Sequence, residues 1–258
     1  MNRYKYICKE LYDYTHFSRL YKFDNKMIKR IPKKQISNEY QYKYDYKNEY
    51  NILKKINNSN IIKINETYED IDYFYSVMDF YERGDLYYNI KEKTVSIKDY
   101  KNIIKKLIEP VHTIHKKNIV HMDIKLENYV LGNHYDNFIL IDFNLSQIHP
   151  YSYYEPEKIS SVIGTKPFIA PEIYEGYYCK SSDMYSLGCV LYLIYTDTIY
   201  NGDLVLLQNK PEELQDLIKE LLNENYKLRP SVYDIKNTFL KKVKSKTFLK
   251  KVSPKNTF

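Results

Sequence analysis

The prevailing apolar spacing changes from mostly strand-like to mainly helical at Arg83-Gly84, and that change limits what this chain can fold into. Before it, short runs rich in aromatic and aliphatic residues are separated by turn signals. Tyr4 to Leu11 and Phe17 to Phe23 read as strands, Asp24-Asn25 as a tight turn into a third strand from Lys26 to Ile31, and Pro32 as its end. From Glu39 to Ile56 the steps lengthen to three and four residues through Tyr46, Glu49, Tyr50, Leu53 and Ile56, which predicts a helix. Ile61 to Ile64 and Tyr73 to Phe80 read as two more strands. After Gly84 the helical period dominates. Residues 97–118 place Ile103, Ile104, Leu107, Ile108, Val111 and Ile114 on one face, and Asp183 to Tyr195 is nearly all apolar, as in a helix buried on every side. Glu212 to Leu222 and Val232 to Leu240 are amphipathic. The expected class is α+β: a small five-stranded lobe with one main helix, followed by a mainly helical lobe. At 258 residues the chain is long enough to bury both.

Polar residues of unusual density interrupt the helical half. His121-Met-Asp123-Ile-Lys125-Leu-Glu127-Asn128 gathers a carboxylate, a cation and an amide within six residues. Nineteen residues after Asp123, Asp142 ends the apolar run Ile139-Leu-Ile and is followed by Phe143-Asn144. A carboxylate to orient a hydroxyl, a cation to balance a moving phosphate and oxygen ligands for magnesium are what phosphoryl transfer requires. The two segments, with this spacing, resemble the catalytic loop and the metal-binding motif of the eukaryotic protein kinase family, serine/threonine type.

Further matches follow in chain order. Gly164-Thr165-Lys-Pro-Phe-Ile-Ala170-Pro171-Glu172 is similar to the end of the family's activation segment, and Ser182-Asp183-Met-Tyr-Ser-Leu-Gly188 to the start of its buried central helix. Arg229-Pro230 resembles the late arginine that pairs with the glutamate of the activation segment, here Glu172. Lys29 and Glu49, 20 residues apart, suit the lysine and glutamate of the phosphate-holding ion pair, and Val77-Met78-Asp79-Phe80 the hinge. Each match alone has an ordinary explanation, such as Asp183 as a helix cap or Lys29 as a solvated strand lysine. Their common order does not.

The resemblance implies a bilobal kinase domain over residues 1–240, divided at 81/82, with residues 241–258 as a basic tail. It implies ATP and Mg2+ as cofactors and a protein substrate. Asp123 is then the base, Lys125 steadies the transferred phosphate, and Asn128 and Asp142 bind magnesium. Lys29, Glu49, Met27, Met78, Asp79, Tyr81, Asp85 and Val130 line the nucleotide site, and Leu53, Ile64, His121 and Phe143 stack into a column joining the lobes. By the same resemblance the Thr165 hydroxyl bridges Asp123 and Lys125, a serine/threonine feature. Glu127 and Asp85 match positions that hold a substrate arginine in basic-directed members.

The chain departs from the family pattern in four places. No glycine precedes Gly84, so Tyr12-Asp13-Tyr14-Thr15-His16-Phe17-Ser18 stands where a glycine-rich loop would let backbone N–H groups approach phosphates. Met27 replaces a small residue over the adenine. Met122 replaces the arginine that receives an activation-loop phosphate, which makes control through Ser160, Ser161 or Thr165 less expected. Asn144 replaces a glycine, a mild change because Asn tolerates positive φ. The missing glycines, Met27 and Asn144 support an alternative reading: a pseudokinase scaffold or regulator with weak or no turnover.

Charge is concentrated at the end. Eight lysines between Lys236 and Lys255, with no acid among them, carry more than the net +7 of the whole chain. Thr238-Phe-Leu-Lys-Lys-Val243 recurs as Thr247-Phe-Leu-Lys-Lys-Val252, a local duplication too short for a repeat architecture. A lysine-only tail gives little support to specific nucleic-acid recognition, but can meet acidic surfaces or a partner. Cys8, Cys179 and Cys189 have no metal-ligand spacing, and no run is long and apolar enough to span a membrane. The expectation is a reduced, soluble protein of cytoplasm or nucleus.

Overall fold

The computed structural model describes residues 11–14, 18–34, 45–133 and 137–241. The first lobe is one antiparallel sheet in the order β1-β2-β3-β5-β4: β1 (Leu11–Tyr14), β2 (Arg19–Phe23), β3 (Lys26–Pro32), β4 (Ile64–Glu69) and β5 (Tyr73–Asp79). Asp24 takes the left-handed backbone (φ 50°) that the tight turn between β2 and β3 needs. The lobe's helix, α1 (Asn48–Leu53), begins with the acidic residue Glu49 in its first turn.

Three expectations shift here. The described part of the first strand is Leu11–Tyr14; Tyr4 to Glu10 lie outside the described residues, as do Thr15 to Phe17 and 39–44 of the expected helix. The strand expected at Ile61 to Ile64 starts only at Ile64 and runs on through polar Asn65, Glu66 and Thr67. β4 is the sheet edge, where polar side chains face water without cost. The apolar run Ile61-Ile62 instead buries itself between the lobes, with Ile61 bridging Leu140 and the Ile62 N–H donating to the Leu140 carbonyl at 3.0 Å. That run marks burial and not a strand.

After Gly84 (φ 74°) come α2 (Leu86–Lys91), α3 (Tyr100–Lys116), the short strands β6 (Ile119–Val120), β7 (Tyr129–Leu131), β8 (Phe138–Leu140) and β9 (Gln147–Ile148), then β10 (Glu157–Lys158), α4 (Pro171–Tyr174), β11 (Tyr177–Tyr178), α5 (Lys180–Thr196), α6 (Glu212–Leu221) and α7 (Val232–Asn237). The mixed α/β class and the five-stranded lobe agree with the sequence reading. α3 sends Ile103, Ile104, Leu107, Ile108, Val111 and Ile114 into one core, as its periodicity requires, and α5 is buried almost throughout. No helix of the described residues is long and apolar enough to cross a membrane.

Gly188 lets α5 and α6 approach. A Cβ there would lie 2.9 Å from the Leu221 Cβ and 3.1 Å from the Leu222 side chain. Gly188→Ala is therefore expected to destabilise the fold by about 1–3 kcal/mol, the usual cost of overpacking, despite alanine's better helix propensity. Urea unfolding measures this, and a more stable variant would show that the helices part freely.

Candidate active site

Lys29 stands in the middle of β3, where strand alternation turns it inward, and its buried ammonium lies 2.9 Å from Glu49 Oε2 and 2.9 Å from Asp142 Oδ1. Burial alone would lower the lysine pKa, but the two carboxylates outweigh it and raise it. Burial would likewise raise the Asp142 carboxyl, and the Lys29 ammonium holds it below its ordinary value. Glu49 Oε1 accepts the Phe143 N–H at 3.0 Å, and Asn48 Nδ2 donates to the carbonyls of Asn144 and Ser146, each at 3.0 Å. One turn of α1 is thereby fastened to the segment after β8.

Backbone strain falls on Asp142 itself, at φ 61°. Asn144, expected to use its tolerance of positive φ, is not among the positive-φ residues; the left-handed turn occurs two residues earlier, so nothing at Asn144 demands glycine.

The loop between β6 and β7 carries the other polar groups. Met122 is left-handed (φ 70°), which turns the His121 and Met122 N–H groups toward the buried Asp183, at 2.8 and 2.9 Å. Lys125 Nζ lies 3.1 Å from Asp123 Oδ2, and Asn128 Nδ2 donates to the same oxygen at 3.0 Å and to the Asp123 carbonyl at 2.8 Å. Asp123 Oδ1 is buried without a hydrogen-bond partner among the described residues, an expensive state for a carboxylate oxygen unless another group completes it. Lys125 also donates to Thr165 Oγ1 at 2.8 Å. The expected bridge is thus present on the lysine side; no Thr165–Asp123 hydrogen bond is formed among the described residues. The rings of His121 and Phe143 meet edge to face at 4.7 Å, and Leu53, Phe143 and half-buried Ile64 join the main core.

Of the expected pocket lining, Met78 and Val130 are buried in that core and Met27 and Tyr81 are packed against it. Burial pushes the Tyr81 hydroxyl up to about 12, so it is a neutral donor. Asp79 is turned elsewhere, holding Lys26 at 2.6 Å and Asn65 at 2.9 Å. Asp85 caps α2 by accepting the Tyr88 N–H at 2.8 Å, while its backbone bridges Val130. Glu127 is exposed. Tyr12, in the segment that stands in place of a glycine-rich loop, lays its ring against Phe80 with centroids 5.5 Å apart.

Two groups of residues support this site from behind. Arg229, fully buried, makes a two-pronged pair with Glu172 at 2.8 and 2.8 Å, and Ser182 donates to Glu172 at 2.6 Å. Met122 packs with Val120, Ile163, Ile169, Ala170, Ile173 and Tyr178 in an apolar cluster under the segment that leads to Glu172. Sequence reasoning missed His115, whose Nε2 lies 2.9 Å from Asp183 while its Nδ1 faces the Tyr153 hydroxyl at 3.3 Å. It also missed Asn48. A lone histidine near a helix end and an asparagine beside a glutamate give no signal without the third dimension.

Among the described residues no cluster of three or more His, Cys, Asp or Glu could hold a metal alone. Magnesium seldom asks for one, since it is usually held by one or two carboxylates with phosphate oxygens and waters. The carboxylate of Asp142 and the amide oxygen of Asn128 are hard oxygen donors of that kind and fit it.

Residues 24–240 match the family model of the protein kinase domain. Calcium-dependent protein kinase 4 of Plasmodium berghei is 32% identical over 229 residues, covering 80% of this chain and 42% of that protein. Its Plasmodium falciparum counterpart is 32% identical over 242 residues, covering 85% of this chain and 45% of that protein. Myosin light chain kinase A of Dictyostelium discoideum is 33% identical over 199 residues, 71% of this chain and 66% of that protein. The chain spans less than half the length of these two calcium-dependent kinases.

Proposed function

We propose that this chain, which belongs to the protein kinase family, transfers the terminal phosphoryl group of ATP to serine and threonine hydroxyls of protein substrates. One observation carries the reading. Lys29, Glu49 and Asp142 are joined by 2.9 Å contacts while Asp123, Lys125, Asn128 and Thr165 form a second connected group on the catalytic loop. A chain relieved of catalysis has no physical reason to retain so many buried charges, each costly to desolvate.

In this reading Lys29 binds phosphate oxygens, held in place by Glu49. Asp142 and Asn128 hold magnesium, which when bound neutralises charge on the phosphates. Asp123 accepts the hydroxyl proton and aims the acceptor, and Lys125 offsets charge on the group in transfer. The amide of Asn128 is turned so that Nδ2 serves Asp123, leaving its Oδ1 for a ligand. Met27, Met78, Tyr81 and Val130 give the adenine an apolar slot, and the exposed Glu127 with Asp85 favours basic residues near the acceptor.

The pseudokinase reading draws on the absence of glycine before Gly84. With a side chain at every position of that hairpin, phosphates must be held more by Lys29 and magnesium than by backbone N–H groups. The test is phosphate incorporation by purified protein with ATP, magnesium and a lysine- and arginine-rich peptide. Magnesium-dependent incorporation is the expected result. No incorporation, together with no ATP-induced rise in melting temperature, would overturn catalysis and favour the scaffold.

A further inference from the structure

α6 and α7 enclose a cavity of about 220 Å3, separate from the catalytic groups. Leu217, Pro230, Ile235 and Phe239 give it an apolar floor, and Asp216 and Glu220 stand at its edge. On α6, Glu213, Asp216 and Glu220 recur at three- and four-residue steps, so their carboxylates share one face. Glu213 is engaged with Lys101 at 2.6 Å. Asp216 and Glu220 are exposed, with no ion pair among the described residues.

The chain itself runs into this groove. Thr238 and Phe239 line it, and Phe239 packs on Tyr100 with centroids 6.2 Å apart beneath the Lys101 ammonium. These two residues begin the six-residue unit that recurs at Thr247–Val252. Beyond Lys241 lie residues 242–258, with Lys242, Lys244, Lys246, Lys250, Lys251, Lys255 and no acid.

We infer that the second unit docks on this face of its own chain, with Phe248 and Leu249 on the apolar floor beside Phe239 and Lys250 and Lys251 against Asp216 and Glu220. In the described part of the first unit, Phe239 and Leu240 pack against this lobe, which shows that the Phe-Leu pair fits it. Charge supplies the rest: a segment carrying only lysines meets two unpaired carboxylates at the rim of an apolar hollow. Reach is sufficient, since seven residues from Lys241 to Phe248 extend up to about 25 Å, whereas the ten-residue α6 is about 15 Å long.

Hydrogen exchange on the full chain tests this. Phe248→Asp with Leu249→Asp lies beyond the described fold, and is expected to speed amide exchange in residues 213–220 and 235–239 by about 10-fold or more, leaving α3 unchanged. Asp216→Lys with Glu220→Lys, on exposed positions, is expected to do the same, and adding Lys250→Glu with Lys251→Glu to restore protection. Unchanged exchange in both pairs of variants would overturn the inference. So would protection that disappears on about 100-fold dilution, because the occupant would then be the tail of a second copy.

Discussion

Replacing Asp123 by alanine is expected to lower the rate of phosphate transfer by about 10²–10⁴-fold, the usual worth of a positioned acid–base group, without unfolding the protein. The carboxylate is buried, one oxygen held by Asn128 and Lys125 and the other without a hydrogen-bond partner among the described residues, so that oxygen is left for an incoming hydroxyl. Truncation leaves both neighbours other partners, since Asn128 keeps the Asp123 carbonyl and Lys125 keeps Thr165. ATP should therefore still raise the melting temperature of the variant, separating loss of chemistry from loss of binding. Initial rates decide the matter: activity within about threefold of the parent would remove Asp123 from the mechanism.

A comparably large effect on stability is expected at Arg229. Arg229→Ala should cost about 3–5 kcal/mol, because it leaves the Glu172 carboxylate buried and without its cation. Only the Ser182 hydroxyl would remain to it among the described residues, and the Asn223, Ser181 and Glu224 carbonyls would lose a donor as well. Arg229→Met combined with Glu172→Leu should recover much of the loss, since removing both partners removes the unpaired charge. Urea denaturation of the three proteins measures the difference, and a single-variant loss under about 1 kcal/mol would mean that water reaches Glu172.

The proposed catalytic groups were legible because each motif is a local string whose spacing already encodes a loop. Asp123, Lys125 and Asn128 lie within six residues, so one loop carries them all. Long-range pairs such as Lys29 with Glu49 and Glu172 with Arg229 were legible only through family order, since charge alone does not choose partners. What local pattern could not provide was depth. Ile61-Ile62 looks like a strand because apolar runs serve sheets and lobe interfaces equally, and β4 looks like a loop because an edge strand is half in water. Asn144 invited a positive-φ reading because of the residue it replaces, while the turn itself occurs at Asp142. His115 became visible only when α3, Asp183 and Tyr153 were brought together.

The apolar cluster around Met122 has a consequence for how this enzyme would be governed. Where an arginine would tie the neighbouring segment down only after a phosphate arrived, thioether and aliphatic carbon hold it from the moment of folding. Such a latch has no key that a phosphatase can remove. Its grip obeys the thermodynamics of oil and water and not those of charge: it tightens in sulfate-type salt, which screens ion pairs, and slackens on cooling.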